Sequence, residues 1–323
     1  MWFQNIFRRP NKRVPQIPNL KSANAPIALN LPVSIYPQLD RLQLRVSRHL
    51  RGAGAGLRPS TRRRPAAEFL EHRQYTPGDD VRFVDWKASA RSEHIYLKQG
   101  EHPQETTVHL LLDTSASMGW GTPPKSHAAL ALAAALGYLT LANEDRLQII
   151  PLENPRSSVG IYAQAFKGKA QFPALLNSLR ALPFSGNPAL ADGLRAYSRA
   201  TPRGGVLLIL SDLLDVPNLD TILAAFPRPT WEVTVFHLLH PHELQPPLSG
   251  EFELVDAETD QSTNYDLTPQ ALEGYQKNLQ TWRDALELAC IENKAFYTMI
   301  PTHWSVEKEV IPHLRKVRVL EPI

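Results

Sequence analysis

Hydrophobic and polar positions follow two rhythms along this chain. From about residue 105 onward, short and nearly unbroken apolar runs alternate with longer amphipathic stretches. "TTVHLLLD", "DRLQIIPL", "SSVGIYA", "GGVLLILSD", "WEVTVFHLL" and "AFYTMIP" read as strands. A run as apolar as "VLLIL" suits a parallel strand covered on both faces. Helical spacing appears in "KSHAALALAAALGYLTLANE", near 169–181 and 188–199, and in "LDTILAAF". It returns in "TPQALEGYQKNLQTWRDALELACIEN" and in "SVEKEVIPHLRK", while "FELVDAETD" is assigned to a polar loop. Strands alternating with helices of this length imply βαβ units, hence an α/β fold with a doubly wound, mostly parallel sheet over residues 105–323.

The rhythm upstream is different. Residues 1–38 are rich in Pro, Asn and basic side chains without sustained periodicity, and are expected to form an extended basic arm. "DRLQLRVSRHLR" spaces Arg41, Arg45 and Arg48 on one face and predicts a short helix, which "GAGAG" ends. From Glu68 to Gln99, "VRFVDW" and "IYLKQ" alternate in strand fashion, and "TPGDD" has the Pro-Gly of a tight turn. Residues 39–104 are therefore expected to hold that helix and a small β-rich lobe.

Composition narrows the class. The 323 residues are 43% hydrophobic and 21% charged, enough for one large domain with a smaller companion. The single cysteine, Cys290, excludes an intramolecular disulfide, and reads as a small apolar residue on a helix. No secretory signal is visible in "MWFQNIFRRPNKR", so a cytoplasmic protein is expected. The longest apolar run, Ala128–Ala142, is shorter than the ~18–20 residues of a spanning helix and reads as a core helix. The net charge of +3 conceals an asymmetry: residues 1–64 carry 13 Lys and Arg against the one acid Asp40, leaving 22 bases and 31 acids to the remainder. A basic arm on a mildly acidic body suits an anionic partner, whether an acidic protein face, a lipid surface or nucleic acid. The arm lacks the aromatic–basic alternation of single-strand binders.

Two expected strands end in an acid, "HLLLD" at Asp113 and "LLILSD" at Asp212. In such sheets ligands gather beyond the carboxyl ends of strands, and two acids meeting there need a positive group between them. With the hydroxyls of Ser115 and Ser117 the set is all hard oxygen, which suits Mg²⁺ or Mn²⁺ and not zinc. A nucleophilic Asp113 of the phosphatase type lacks its acid partner, because Ser115 stands two residues on. A phosphate loop in "GWGTPPKS" is spoiled by Pro124, and "SASMG" is no hydrolase elbow. "HLLHPHE" offers His237, His240, His242 and Glu243 to zinc, but reads better as a structural or exposed cluster.

These residues carry a resemblance. "DTSAS" matches the Asp-x-Ser-x-Ser signature of the metal-ion-dependent adhesion site of von Willebrand factor A-type domains. The longer run from "EFLEHRQYTPGDDVRFVDWKASAR" to "DTSASMGWG" resembles the bacterial family called domain of unknown function 58, with its motifs in the same order. The similarity extends over roughly residues 40–320. It implies a von Willebrand A-like sheet with an N-terminal elaboration, and partnership with a MoxR-type AAA+ ATPase or its client in assembly, chaperone-like or metal-insertion work. It places Asp113, Ser115 and Ser117 in the first metal loop and Asp212 in the second. The usual threonine ligand falls in "SGNPAL", where Pro188 stands in its place, or Asn187 if the loop shifts by one, its amide carbonyl then being the donor. An acid of the partner would complete the ion's shell, with Trp120 adding apolar contact. A second distinctive set, Arg73, Tyr75, Asp79, Asp80, Arg82, Asp85, Trp86, Ser89 and Arg91, suits an internal network of ion pairs and turns. Within it, Arg82, Asp85, Trp86 and Arg91 are the candidates for partner contact. The expected function is a non-enzymatic protein-binding module. The alternatives are a Mg²⁺-dependent phosphoester hydrolase built on Asp113 and Asp212, and a binder of nucleic acid or anionic membrane through the arm.

Overall fold

The computed structural model describes residues 5–8, 29, 31–46, 68–76, 81, 84–92, 94–101, 106–152, 164–184, 190–246, 250–256 and 262–323. The chain divides into two compact units: residues 1–50 together with 106–323, and residues 51–105.

The larger unit is built on a six-stranded sheet. Its strands are β1 (Thr107–Asp113), β2 (Arg146–Leu152), β3 (Gln164–Lys167), β4 (Gly205–Ser211), β5 (Trp231–Leu239) and β6 (Phe296–Pro301). Across the sheet they lie in the order 3-2-1-4-5-6. All neighbours are parallel except β3, which runs antiparallel to β2 at the edge. The intervening helices are α1 (Lys125–Ala142), α2 (Phe172–Arg180), α3 (Leu190–Ala200), α4 (Leu219–Leu223), α5 (Pro269–Glu292) and α6 (Ile311–Lys316). The expected mixed α/β architecture with a mostly parallel sheet is thus present. The strand expected at "SSVGIYA" lies outside the described residues.

Period-two alternation divides the core between the two sheet faces. Val108, Leu110 and Leu112 of β1 join Leu208 and Leu210 of β4 in one cluster, with α1, α2 and α6. Leu111 joins Leu207 and Ile209 in the other, with α3, α4 and α5. Helix α1 is the "AALALAAALGYLTLA" segment, and 13 of its 18 residues are buried. Its small side chains permit close packing: a Cβ on Gly137 would stand 2.6 Å from Leu175 of α2. No helix among the described residues is long and apolar enough to cross a membrane.

Two elements differ from expectation. In place of a helix from residue 40, a single helical turn at Tyr36–Leu39 leads into a strand, Leu42–Leu44. That strand pairs antiparallel with Leu320–Pro322 near the C-terminus. Leu42 and Leu44 are buried in the main core with Gln43 between them half-exposed, so the strand period overrides the arginine spacing. The segment assigned to a polar loop forms a strand, Gly250–Asp256, set between Asn5–Arg8 and Ser262–Leu267 in a three-stranded antiparallel sheet.

In the smaller unit, Glu68–Gln74 and Tyr96–Glu101 pair antiparallel, as the β-rich reading expects. Within "VRFVDW", where a strand is expected, Arg82 and Phe83 lie outside the described residues, and Val84 forms an antiparallel bridge to Leu97. The run ends in a helical turn, Trp86–Ser89, because Asp85 caps it: its Oδ1 accepts hydrogen bonds from the backbone N–H groups of Lys87 (3.0 Å) and Ala88 (3.1 Å).

Candidate functional site

In the order 3-2-1-4-5-6, the chain leaves the β3 edge and re-enters the sheet on the far side of β1. The order therefore reverses between β1 and β4, where doubly wound sheets open a crevice at their carboxyl ends. β1 ends in Asp113 and β4 in Ser211, followed by Asp212. Leu112 pairs with Leu210, so Asp113 and Ser211 face each other one step further on.

Asp113 is 3% exposed and both of its oxygens are engaged. Oδ1 accepts from the Ser115 backbone N–H (2.9 Å), and Oδ2 from the Ser211 hydroxyl (2.5 Å). Burial, and then the charge of Asp212, push its carboxyl above the ordinary aspartate value. The Ser115 and Ser117 hydroxyls are 3.0 Å apart, both buried. Thr114 anchors the same loop by donating to the Leu152 carbonyl at the end of β2 (2.9 Å).

Asp212 is 1% exposed and bonded to a residue that sequence reasoning missed. The Lys125 ammonium, also 1% exposed, lies 2.7 Å from Asp212 Oδ2 and 2.6 Å from Glu243 Oε1. Burial alone would raise the Asp212 carboxyl, but the charge and hydrogen bond of Lys125 outweigh it and hold it below the ordinary value. Burial likewise opposes the charge of Lys125, and the two acids raise it above the usual lysine range. Glu243 goes the other way, upward, because its burial exceeds the pull of Lys125. Lys125 and Asp212 are therefore the firmly ionised pair, with Glu243 sharing the cation.

Glu243 also accepts from the His240 backbone N–H through Oε2 (2.6 Å), while His240 Nδ1 accepts from His242 N–H (3.2 Å). This capping box opens the short turn Pro241–Leu244 just beyond β5. Burial, and then the neighbouring His242, lower His240 to about 4, which matches a neutral ring accepting a hydrogen bond. Its ring meets Trp120 edge-on, with centroids 5.0 Å apart. Gly121 holds a φ of +105°, and a Cβ there would come 2.6 Å from the His240 ring. Tyr275 of α5 donates to the Glu243 carbonyl (2.6 Å). One buried network thus ties the loop after β1, the start of α1, the loop after β4 and the turn after β5.

The structure brings Asp113, Ser115, Ser117 and Asp212 to one edge, with Trp120 half-buried beside them. Asn187 and Arg82 lie outside the described residues. Asp85, Trp86 and Arg91 belong to the smaller unit, where Asp85 is half-buried as a cap, and Trp86 and Arg91 are exposed. His237 is separate from the turn cluster: it sits in β5, fully buried, with Nδ1 2.6 Å from the Tyr297 hydroxyl. The signal for Lys125 was slight, since it appears only as the tail of "PPKS". Glu243 was named with His240 and His242 in "HLLHPHE", but not as a partner of Lys125.

Whether the expected divalent ion fits is decided at Asp212. The first loop offers hard oxygens in kind, but the carboxylate from the second loop is already engaged by a buried ammonium. An ion set against Asp212 would place like charges side by side at low dielectric. As arranged, the residues do not fit a divalent ion.

Fold and site together define a doubly wound α/β domain with a buried ion network at its switch point. The family model described as "Protein of unknown function DUF58" matches residues 71–284, and the chain belongs to that family. It is 31% identical over 227 residues to the uncharacterized proteins Rv1480 of Mycobacterium tuberculosis and Mb1516 of Mycobacterium bovis, covering 68% of each chain. Among solved structures it is similar to the conserved hypothetical protein BatB from Bacteroides thetaiotaomicron, with 13% identity and a TM-score of 0.40 over 65% of this chain and 98% of that one. It is also similar to an aerotolerance-related membrane protein from Bacteroides fragilis, with 14% identity and a TM-score of 0.36 over 65% and 99%.

Proposed function

We propose that this chain is a non-enzymatic protein-binding module of the von Willebrand A-like type, docking partners at the carboxyl edge of its sheet. Its partner is a MoxR-type AAA+ ATPase or that enzyme's client, met in the cytoplasm. The observation that carries the reading is the locking of three carboxyl-end loops into one buried network beneath Trp120. A surface held this way loses little conformational freedom on binding, which favours recognition. The engagement of both Asp113 oxygens argues against its use as a nucleophile. Co-expression with a MoxR-type ATPase tests the proposal. Asp113→Ala combined with Ser115→Ala, and separately Trp120→Ala, should each reduce co-purification. Unchanged capture by folded variants refutes the docking edge. Phosphatase turnover with Mg²⁺ or Mn²⁺ that vanishes in Asp113→Asn refutes the non-enzymatic assignment.

A further inference from the structure

We propose that the Lys125 ammonium is the resident cation of this edge, holding the Asp212 carboxylate that a divalent ion would need, and that the site works without metal. The ammonium has three N–H donors. Two go to Asp212 Oδ2 at 2.7 Å and Glu243 Oε1 at 2.6 Å, and the Trp120 ring lies 5.9 Å from Nζ, within cation–π range. These contacts come from the loop after β4, the turn after β5 and the loop after β1; the first and last of these also carry the residues expected to hold a metal.

The cation is also tethered. Lys125 is the first residue of α1, a helix with 13 of 18 residues buried, and its backbone N–H donates to the Trp120 carbonyl at 3.0 Å. It cannot dissociate as a free ion does, so the edge stays assembled at any metal concentration. In the sequence, the "SGNPAL" position expected to supply a threonine ligand is Pro188, which has no side-chain oxygen, or Asn187 if the loop shifts by one. With Lys125 only 1% exposed, no partner carboxylate reaches the cation. A partner instead meets the loop surface above it, where Trp120 and Gly121 are half-buried and Thr122 and Pro123 exposed. Only this last point rests on the docking role proposed above; the cation's identity is tested on the chain alone.

The full wild-type chain, stripped with EDTA and dialysed, is titrated calorimetrically with MgCl₂ and with MnCl₂ at millimolar concentrations, beside Asp113→Asn. The expected result is no saturable binding that depends on Asp113, and a Tm that is the same in EDTA and in Mg²⁺. Saturable binding lost in Asp113→Asn overturns the proposal. A folded Lys125→Met chain whose Tm rises with Mg²⁺, where the wild type's does not, supports it from the other side. If that variant fails to fold, the wild-type titration decides by itself. Loss of ATPase capture without metal binding would leave the cation assignment standing, so the two readings fail separately.

Discussion

Replacing Lys125 by methionine keeps most of the side chain's length and removes its charge. In the wild type the ammonium compensates Asp212 and Glu243, and Lys125 and Asp212 are each only 1% exposed, so solvent does not screen the pair. Removing one member of such a buried pair costs about 3–5 kcal/mol, because the remaining charge is left without compensation. For domains of about 150–250 residues, each kcal/mol moves Tm by about 2–4 °C, so the expected drop is roughly 6–20 °C. The pH dependence has a definite sign. Lys125 holds Asp212 below its ordinary value, so this contribution is present above the unfolded carboxyl value and is lost as pH falls through the folded one. In Lys125→Met the main opposition to burial is gone, leaving only hydrogen bonds from Ser117 and Leu214 to Asp212 and from His240 to Glu243, and both carboxyls move upward. The folded variant then binds protons that the unfolded chain releases, so its penalty grows as pH rises above about 4. Urea and thermal unfolding, followed by circular dichroism at about pH 5 and about pH 8, should show the larger deficit at the higher pH. A loss under about 1 kcal/mol at about pH 8, or a deficit that does not shrink at about pH 5, refutes the reasoning.

Three further outcomes follow from the same neighbourhood and its supports. Gly121→Ala forces a side chain into φ +105° and against the His240 ring, and should cost about 1–3 kcal/mol in unfolding experiments and weaken ATPase capture. Burial, and then Asp113, raise Asp215 to about 7, so its ionisation penalises the folded state above that pH and vanishes below the unfolded value near about 4. Asp215→Asn keeps an acceptor for the Leu190 backbone N–H, and should therefore be more stable than the wild type at about pH 8.5 but not at about pH 4.5; parallel stability curves refute it. Cys290 is 0% exposed, and burial followed by the charge of Glu287 pushes its thiol up to about 12. A thiol reagent should label it only at the rate of unfolding, and rapid labelling of the native chain contradicts this.

How far this protein can be read from its residues depends on the range of the interactions. Strands such as Thr107–Asp113 and Gly205–Ser211, and the long helices Lys125–Ala142 and Pro269–Glu292, announce themselves by periods that each segment carries alone. Leu42–Leu44 does not, because its strand form depends on a partner near the C-terminus, Leu320–Pro322. The same contrast divides the site. That Asp113 and Asp212 close apolar strands, and that two acids there require a positive group, follows from sequence and electrostatics. What each acid finds there does not: Asp113 is bonded by the Ser115 N–H and the Ser211 hydroxyl, while Lys125 meets Asp212 across 87 residues of chain and Glu243 across 118. Local pattern determined the elements, the alternation of strand and helix, and the acids at the strand ends. Only the tertiary structure decided that β1 and β4 are neighbours and that a buried lysine joins Asp212 to Glu243, because strand order and ion pairing are settled by packing between distant segments.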